Sequence, residues 1–82
     1  MSKFFITAVF RIGNEMVLAG KIEEGNLSNG MHLNNAPPEI SILSIEKNNK
    51  KLSSASQGEL VGVRIPYYKI VEGISSQLVE FL

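Results

Sequence analysis

The residues able to do chemistry in this chain are few and do not cluster. His32 is the sole histidine. An imidazole titrates near neutral pH and serves as an acid–base group when a carboxylate orients it. His32 falls in a short apolar run, and aspartate is absent altogether, so an ordinary strand histidine is the expected reading. Glu23-Glu24 pairs two carboxylates in sequence, but adjacent strand residues point to opposite faces and do not converge on one substrate. A solvated strand end accounts for them better. A phosphate-cradling loop needs Gly-x-x-x-x-Gly-Lys-Ser/Thr. Glycine meets lysine only at Gly20-Lys21, and Ile22 follows where a hydroxyl is required. No nucleotide site is expected. With 0 cysteines there is no thiolate nucleophile, disulfide or thiolate metal site. One histidine with scattered glutamates is no metal cluster, so the sequence implies no cofactor.

Binding chemistry is better represented. Lys47, Lys50 and Lys51 flank Asn48-Asn49 and form the densest positive group. Two readings fit them: contact with RNA phosphates, or charges that keep a strand edge soluble. The neutral total charge favours the second. Arg11, Lys21 and Arg64 would add a smaller patch if neighbouring strands brought them together. Tyr67-Tyr68 follow Pro66. Loop tyrosines supply rigid area and a hydroxyl, as interface anchors or base-stacking platforms do. The plainer alternative, which we favour, has one closing an end of the core and the other simply exposed. Phe4, Phe5 and the terminal Val79-Glu80-Phe81-Leu82 are expected to offer an apolar edge, which would invite a homodimer.

The elements that must position these residues read as strands. From Lys3 to Ile12, one face carries Phe4, Ile6, Ala8, Phe10 and Ile12, and the other Phe5, Thr7, Val9 and Arg11. Gly13-Asn14 supplies a two-residue hairpin loop. The return strand, Glu15 to Glu23, holds Gly20 in its middle, which marks a bulge, a barrel corner or a close backbone approach. Glu24 to Gly30 is turn material anchored by Leu27, and a short strand is expected from Met31 to Asn34. Ala36-Pro37-Pro38 belongs to a loop or edge, because proline donates no ladder hydrogen bond. Further strands are expected at Ile40 to Lys47, Lys50 to Ser53, Glu59 to Ile65 and Gln77 to Leu82. Ser54 to Gly58 reads as a polar connection with Ala55 pointing inward. No segment carries a capped helical stripe. Roughly six to eight short strands with turns about every eight to twelve residues predict a small closed antiparallel all-β barrel.

A family pattern runs through the same residues. Val9, Phe10 and Ile12 are followed by Val17, Gly20, Lys21, Ile22, Gly25, Leu27, Gly30 and Met31. Later come Ile45-Glu46, then Ala55, Gly58, Glu59, Val61 and Gly62, and finally Lys69-Ile70-Val71-Glu72-Gly73. In this order and spacing the chain resembles the second, β-barrel domain of the translation GTPases, the elongation factor Tu type. That domain reads Val-Phe-x-Ile, then Val-x-x-Gly-Arg-Val-x-x-Gly-x-Ile-x-x-Gly-Asp, then Ala-x-x-Gly-Asp-x-Val-Gly. The resemblance covers nearly the whole chain and implies a barrel fold, with docking on the ribosome as a family habit. In the aminoacyl-tRNA carrier, an acidic pair before Val-Phe and a threonine before the first motif glycine help form the pocket for the aminoacylated end. Those positions are Thr7, Ala8 and Ala19 here; Phe10 is retained, with a structural reason as an inward aromatic. The Gly-Arg-Gly turn is cut to Gly13-Asn14, and the motif aspartate is Met31. An aminoacyl-tRNA pocket is therefore not expected.

Composition bounds the rest. Eighty-two residues make a single domain, 1–82, that buries roughly 60–65% of its unfolded surface. An apolar share of 44% and a charged share of 20% predict a folded chain rather than a disordered one. Eight Lys and Arg balance eight Glu, which argues against strong non-specific nucleic-acid binding. No signal-peptide pattern and no apolar run near the ~20 residues of a membrane span are present, so a cytoplasmic location is expected. The expected function is a non-catalytic β-barrel module that binds a protein partner or itself. The alternative is a translation-related accessory that meets ribosome or RNA through the Lys47–Lys51 hairpin.

Overall fold

The computed structural model describes residues 1–82. The chain is all-β and antiparallel, with β1 (Ser2–Ile12), β2 (Glu15–Glu24), β3 (Leu27–Ser28), β4 (Ser44–Lys47), β5 (Lys50–Leu52), β6 (Ser54–Ala55), β7 (Leu60–Pro66) and β8 (Gln77–Phe81). A 3₁₀ turn over Lys69–Val71 is the one helical element. Six strands form a sheet in the order β5-β4-β7-β2-β1-β8, and β3 pairs with β6 in a second, two-stranded sheet. No helix is long and apolar enough to cross a membrane.

Period-two alternation builds the core. Met16, Leu18 and Ile22 on β2, Val61, Val63 and Ile65 on β7, and Ile45 on β4 all point inward. They meet Phe4, Ile6 and Phe81, and the Phe4 and Phe81 rings pack edge to face with centroids 6.4 Å apart. Fully burying one such side chain contributes about 2 to 3 kcal/mol. Leu27 and Ala55 are buried as the sequence indicates, but the turn and polar connection expected around them are corrected: Leu27–Ser28 and Ser54–Ala55 pair as two short strands.

The turns carry the expected chemistry. Gly13-Asn14 joins β1 to β2 with Ile12 opposite Glu15, and Gly13 takes φ 61°. Asn48 and Asn49, between β4 and β5, sit at φ 52° and 64°. A two-residue hairpin with positive φ at both positions is the type I′ turn, whose twist matches that of the flanking strands.

β1 departs from the simple alternation. Ile6 pairs with Gly20 and Ala8 with Ala19, so Thr7 is an extra residue without an opposite number. This β-bulge exchanges the two faces beyond it. Phe4 and Ile6 point inward as expected, but Phe10 and Ile12 turn outward and are 56% and 52% exposed. The inward Phe10 expected from the sequence is thereby corrected, and Val9 packs on the core instead. Gly20 lies beside the bulge. A Cβ there would stand 1.9 Å from the Phe5 carbonyl oxygen, so the close backbone approach is what requires glycine.

The edges also differ from expectation. Phe4 and Phe5 pair with Val79 and Leu78 of β8, so they leave no open edge. The far side of β8 is occupied too. His32 and Leu82 exchange backbone hydrogen bonds at 2.8 Å, and the Asn34 N–H donates to the Glu80 carbonyl. That segment continues into the next, with the Leu33 N–H on Ile40 and the Ile42 N–H on Met31. The Leu43 N–H then reaches Arg64 of β7 at 2.8 Å. Met31–Asn34 and the first half of Ile40–Lys47 are thus bridged segments rather than full strands, bent by the intervening Pro37-Pro38 loop. The single cylinder expected from the sequence is matched at the coarser level, an all-β antiparallel fold, with its continuous ladders divided between two sheets.

Candidate functional site

Each residue singled out from the sequence has a defined place. In the β4–β5 hairpin, Lys47 and Lys50 are direct cross-strand partners, and Lys51 stands opposite Glu46. The Lys47 ammonium lies 3.0 Å from Glu59, which also accepts a hydrogen bond from the Ser56 backbone N–H. That amide, and then Lys47, hold the Glu59 carboxyl below its ordinary range. Lys50 and Lys51 are exposed and form no ion pair. The hairpin therefore presents two free charges rather than three.

The second predicted patch does not assemble. Arg64 is clamped between Glu15 at 3.0 Å and Glu46 at 3.4 Å, and Glu15 above all raises its already high pKa. This guanidinium joins β2, β7 and β4 across the outer face; its Nε is buried without a partner. Arg11 lies elsewhere, 3.9 Å above the Tyr67 ring and 3.9 Å from Glu72. Lys21 is exposed on β2 in register with Leu60 of β7, three strands away from Lys51 with Glu46 of β4 between. Of the six predicted cations, Lys21, Lys50 and Lys51 remain unpaired, and carboxylates interleave them.

Tyr67 and Tyr68 are both half-buried against the core. The Tyr67 hydroxyl donates to Glu72 at 2.8 Å, a bond that raises its pKa, while Arg11 covers one ring face. The Tyr67 ring is therefore no free stacking platform. The Tyr68 N–H points at Met16 Sδ, 3.2 Å away. His32 is exposed, and its Nδ1 donates to the Pro38 carbonyl at 2.7 Å. Glu23 and Glu24 are solvated, with Glu24 4.0 Å from Lys3. No three His, Cys, Asp or Glu side chains draw together.

Two surface depressions exist. One, of about 350 Å³, lies over the bare backbone of Gly20 and Gly62 with Thr7, Ala19 and Lys47 on its walls. The Thr7 hydroxyl donates to the Ala19 carbonyl there at 3.0 Å. The other, about 420 Å³, lies between the 3₁₀ turn and β8, and its lining includes Ile70, Ile74, Leu78, Asn34 and Glu80.

The feature that sequence reasoning missed is the outer half of β1. β8 covers β1 only from Ser2 to Ile6, so Ala8–Ile12 has β2 on one side and no strand on the other. On its outer face Phe10 and Ile12 stand beside Val17 and Glu15, and Ala8 beside Ala19. The signal available in the sequence was Gly20. A strand glycine of that kind accompanies a bulge, and a bulge inverts every later assignment on its neighbour. No family model matches the chain, and no curated protein does.

Proposed function

We propose that the chain is a non-catalytic β-barrel module that binds protein, with the open strand edge Ala8–Ile12 as its recognition surface. One observation carries this reading. A strand with unpaired backbone groups and an exposed Phe10 and Ile12 is the surface an extended partner adds to. The barrel reading is supported by the run of backbone hydrogen bonds from β8 through residues 32–34 and 40–43 to β7, which would close β1, β2, β7 and β8 into a ring. Cα extents of 26 × 26 × 23 Å support it as well, since a flat single sheet is thin in one direction. The likeness to the second domain of elongation factor Tu rests on the glycine and apolar spacing, which such a ring would explain. Tagged protein is expected to recover a protein partner from its own cells, and the Phe10→Lys variant to lose it. Recovery unchanged by Phe10→Lys contradicts this surface.

The second reading, a ribosome- or RNA-associated accessory, is favoured by the exposed Lys50 and Lys51 alone. RNA affinity falling steeply with salt, and abolished by changing Lys47, Lys50 and Lys51 to Glu, would support it. With Lys47 held by Glu59 and the net charge at +0, we expect weak binding that those changes barely alter.

A further inference from the structure

The open half of β1 has a geometry that selects its own partner. In a hairpin with a two-residue loop, the flanking pair exchanges both ladder hydrogen bonds, and alternate pairs follow suit. Ile12 and Glu15 flank the loop, so Ile12, Phe10 and Ala8 face β2 with their backbone groups. Val9 and Arg11 direct theirs away from β2, where no strand or loop accepts them. Two outward residues with one between them form a self-complementary edge.

We propose that a second copy of this chain pairs antiparallel with this edge, about a two-fold axis through Phe10. The inference deepens the protein-binding reading above and rests on it. In this register Val9 of each copy exchanges hydrogen bonds with Arg11 of the other, giving four backbone bonds. Phe10 meets Phe10 of the second copy as the closer, non-hydrogen-bonded pair, and Ile12 lies opposite Ala8 of the second copy. A large side chain thus faces a small one on either side of an aromatic contact. Neighbouring registers are worse. Shifting the axis to Arg11 sets two guanidinium residues directly opposite, and shifting it to Val9 draws the bulged Thr7 into the ladder.

Charge does not oppose the pairing. The protein has a formal net charge of +0, and the Arg11 guanidinium is drawn over Tyr67 toward Glu72. The contrast with the other end of the sheet supports the choice. β5 is only three residues long and bears Lys50 and Lys51, two of the usual devices against edge pairing, whereas Ala8–Ile12 is longer and holds one charge, Arg11, whose guanidinium lies over Tyr67. A five-residue edge lies well below the roughly 800 Å² per partner of stable interfaces. Dissociation is therefore expected on the order of 100 μM, as a concentration-dependent dimer.

The absence of cysteine makes the register directly testable. In a non-hydrogen-bonded antiparallel pair the Cα atoms lie about 4.5 Å apart, within the span of a disulfide. Phe10→Cys should oxidise to a covalent dimer at least tenfold faster than Lys50→Cys or Ala8→Cys. A mixture of Ala8→Cys with Ile12→Cys should cross-link to the heterodimer. Sedimentation should show the wild type moving from monomer to dimer as concentration rises, with Phe10→Lys, an exposed change that leaves the core intact, at least tenfold weaker. A wild type monomeric to about 1 mM, a dimer indifferent to Phe10→Lys, or equal cross-linking at Phe10 and Lys50 each overturns the proposal. Failure here leaves the wider protein-binding reading standing if the Phe10-dependent recovery of another protein succeeds. Failure of both discards the edge altogether.

Discussion

At the scale of single residues, two contacts decide most of what is measurable. Gly20 is the tighter. With the Phe5 carbonyl 1.9 Å from any added Cβ, and backbone rather than a flexible side chain in the way, Gly20→Ala must push β1 off β2. We expect a loss of about 3 kcal/mol, large against the about 4 to 12 kcal/mol total of a domain this size, read from urea unfolding. An unchanged midpoint would show that the approach is not as close as described. Glu59 sets part of the acid response. Its carboxyl sits below its ordinary 4.5 because the Ser56 amide and Lys47 stabilise the charged form. Its contribution is therefore present above about pH 4.5 and lost as the pH falls through the folded value. Glu59→Gln should flatten stability against pH below that point while leaving the neutral-to-alkaline range alone. Tyr67 acts in the opposite sense. Its pKa is raised above 10.0 by Glu72, so that contribution is present below the ordinary value and lost as the pH rises through the folded one. Glu72→Gln should remove this alkaline slope.

At the scale of elements, the bulge in β1 has the widest consequence. Thr7 is the extra residue that turns Phe10 and Ile12 outward and Val9 inward. Deleting Thr7 would restore simple alternation, sending Val9 to solvent and Phe10 into a core already filled by Phe4, Phe81 and Met16. We expect the deletion to cost about 2 to 3 kcal/mol in thermal unfolding and to abolish the exposed Phe10 surface. The β4–β5 hairpin responds in the other direction. Asn49 holds φ 64°, which glycine adopts at less cost, and Asn-Gly is the preferred type I′ pair. Asn49→Gly is expected to stabilise the protein by about 0.5 to 1 kcal/mol and to raise its melting temperature. A drop would show that the Asn49 side chain contributes something its backbone does not.

At the scale of the whole molecule, alternation and turn chemistry made most of the fold legible. Met16, Leu18 and Ile22 on one strand, and Val61, Val63 and Ile65 on another, announce a buried face without any knowledge of partners. The Gly13-Asn14 and Asn48-Asn49 loops announce their hairpins equally well. What stayed hidden depends on pairings between distant parts of the chain. The bulge at Thr7 exists only in relation to Gly20 on the next strand, so alternation alone places the exposed Phe10 inside. The clamp of Arg64 by Glu15 and Glu46, and of Lys47 by Glu59, joins residues far apart in sequence and removes cations from the patches that the positions of the lysines and arginines suggest. Such ion pairs contribute little stability where exposed, but they decide which cations remain free for a partner.

The proposed ring of backbone hydrogen bonds would surround one core and leave the outer half of β1 open. Amide hydrogen exchange, followed residue by residue in dilute solution, tests both halves at once. Slow exchange at Leu33, Asn34, Ile42, Leu43 and Leu82, matching the centre of β2, with fast exchange at Val9 and Arg11, is the result we predict. Loop-like exchange at the five seam amides, or strong protection at Val9 and Arg11 in the monomer, would contradict it.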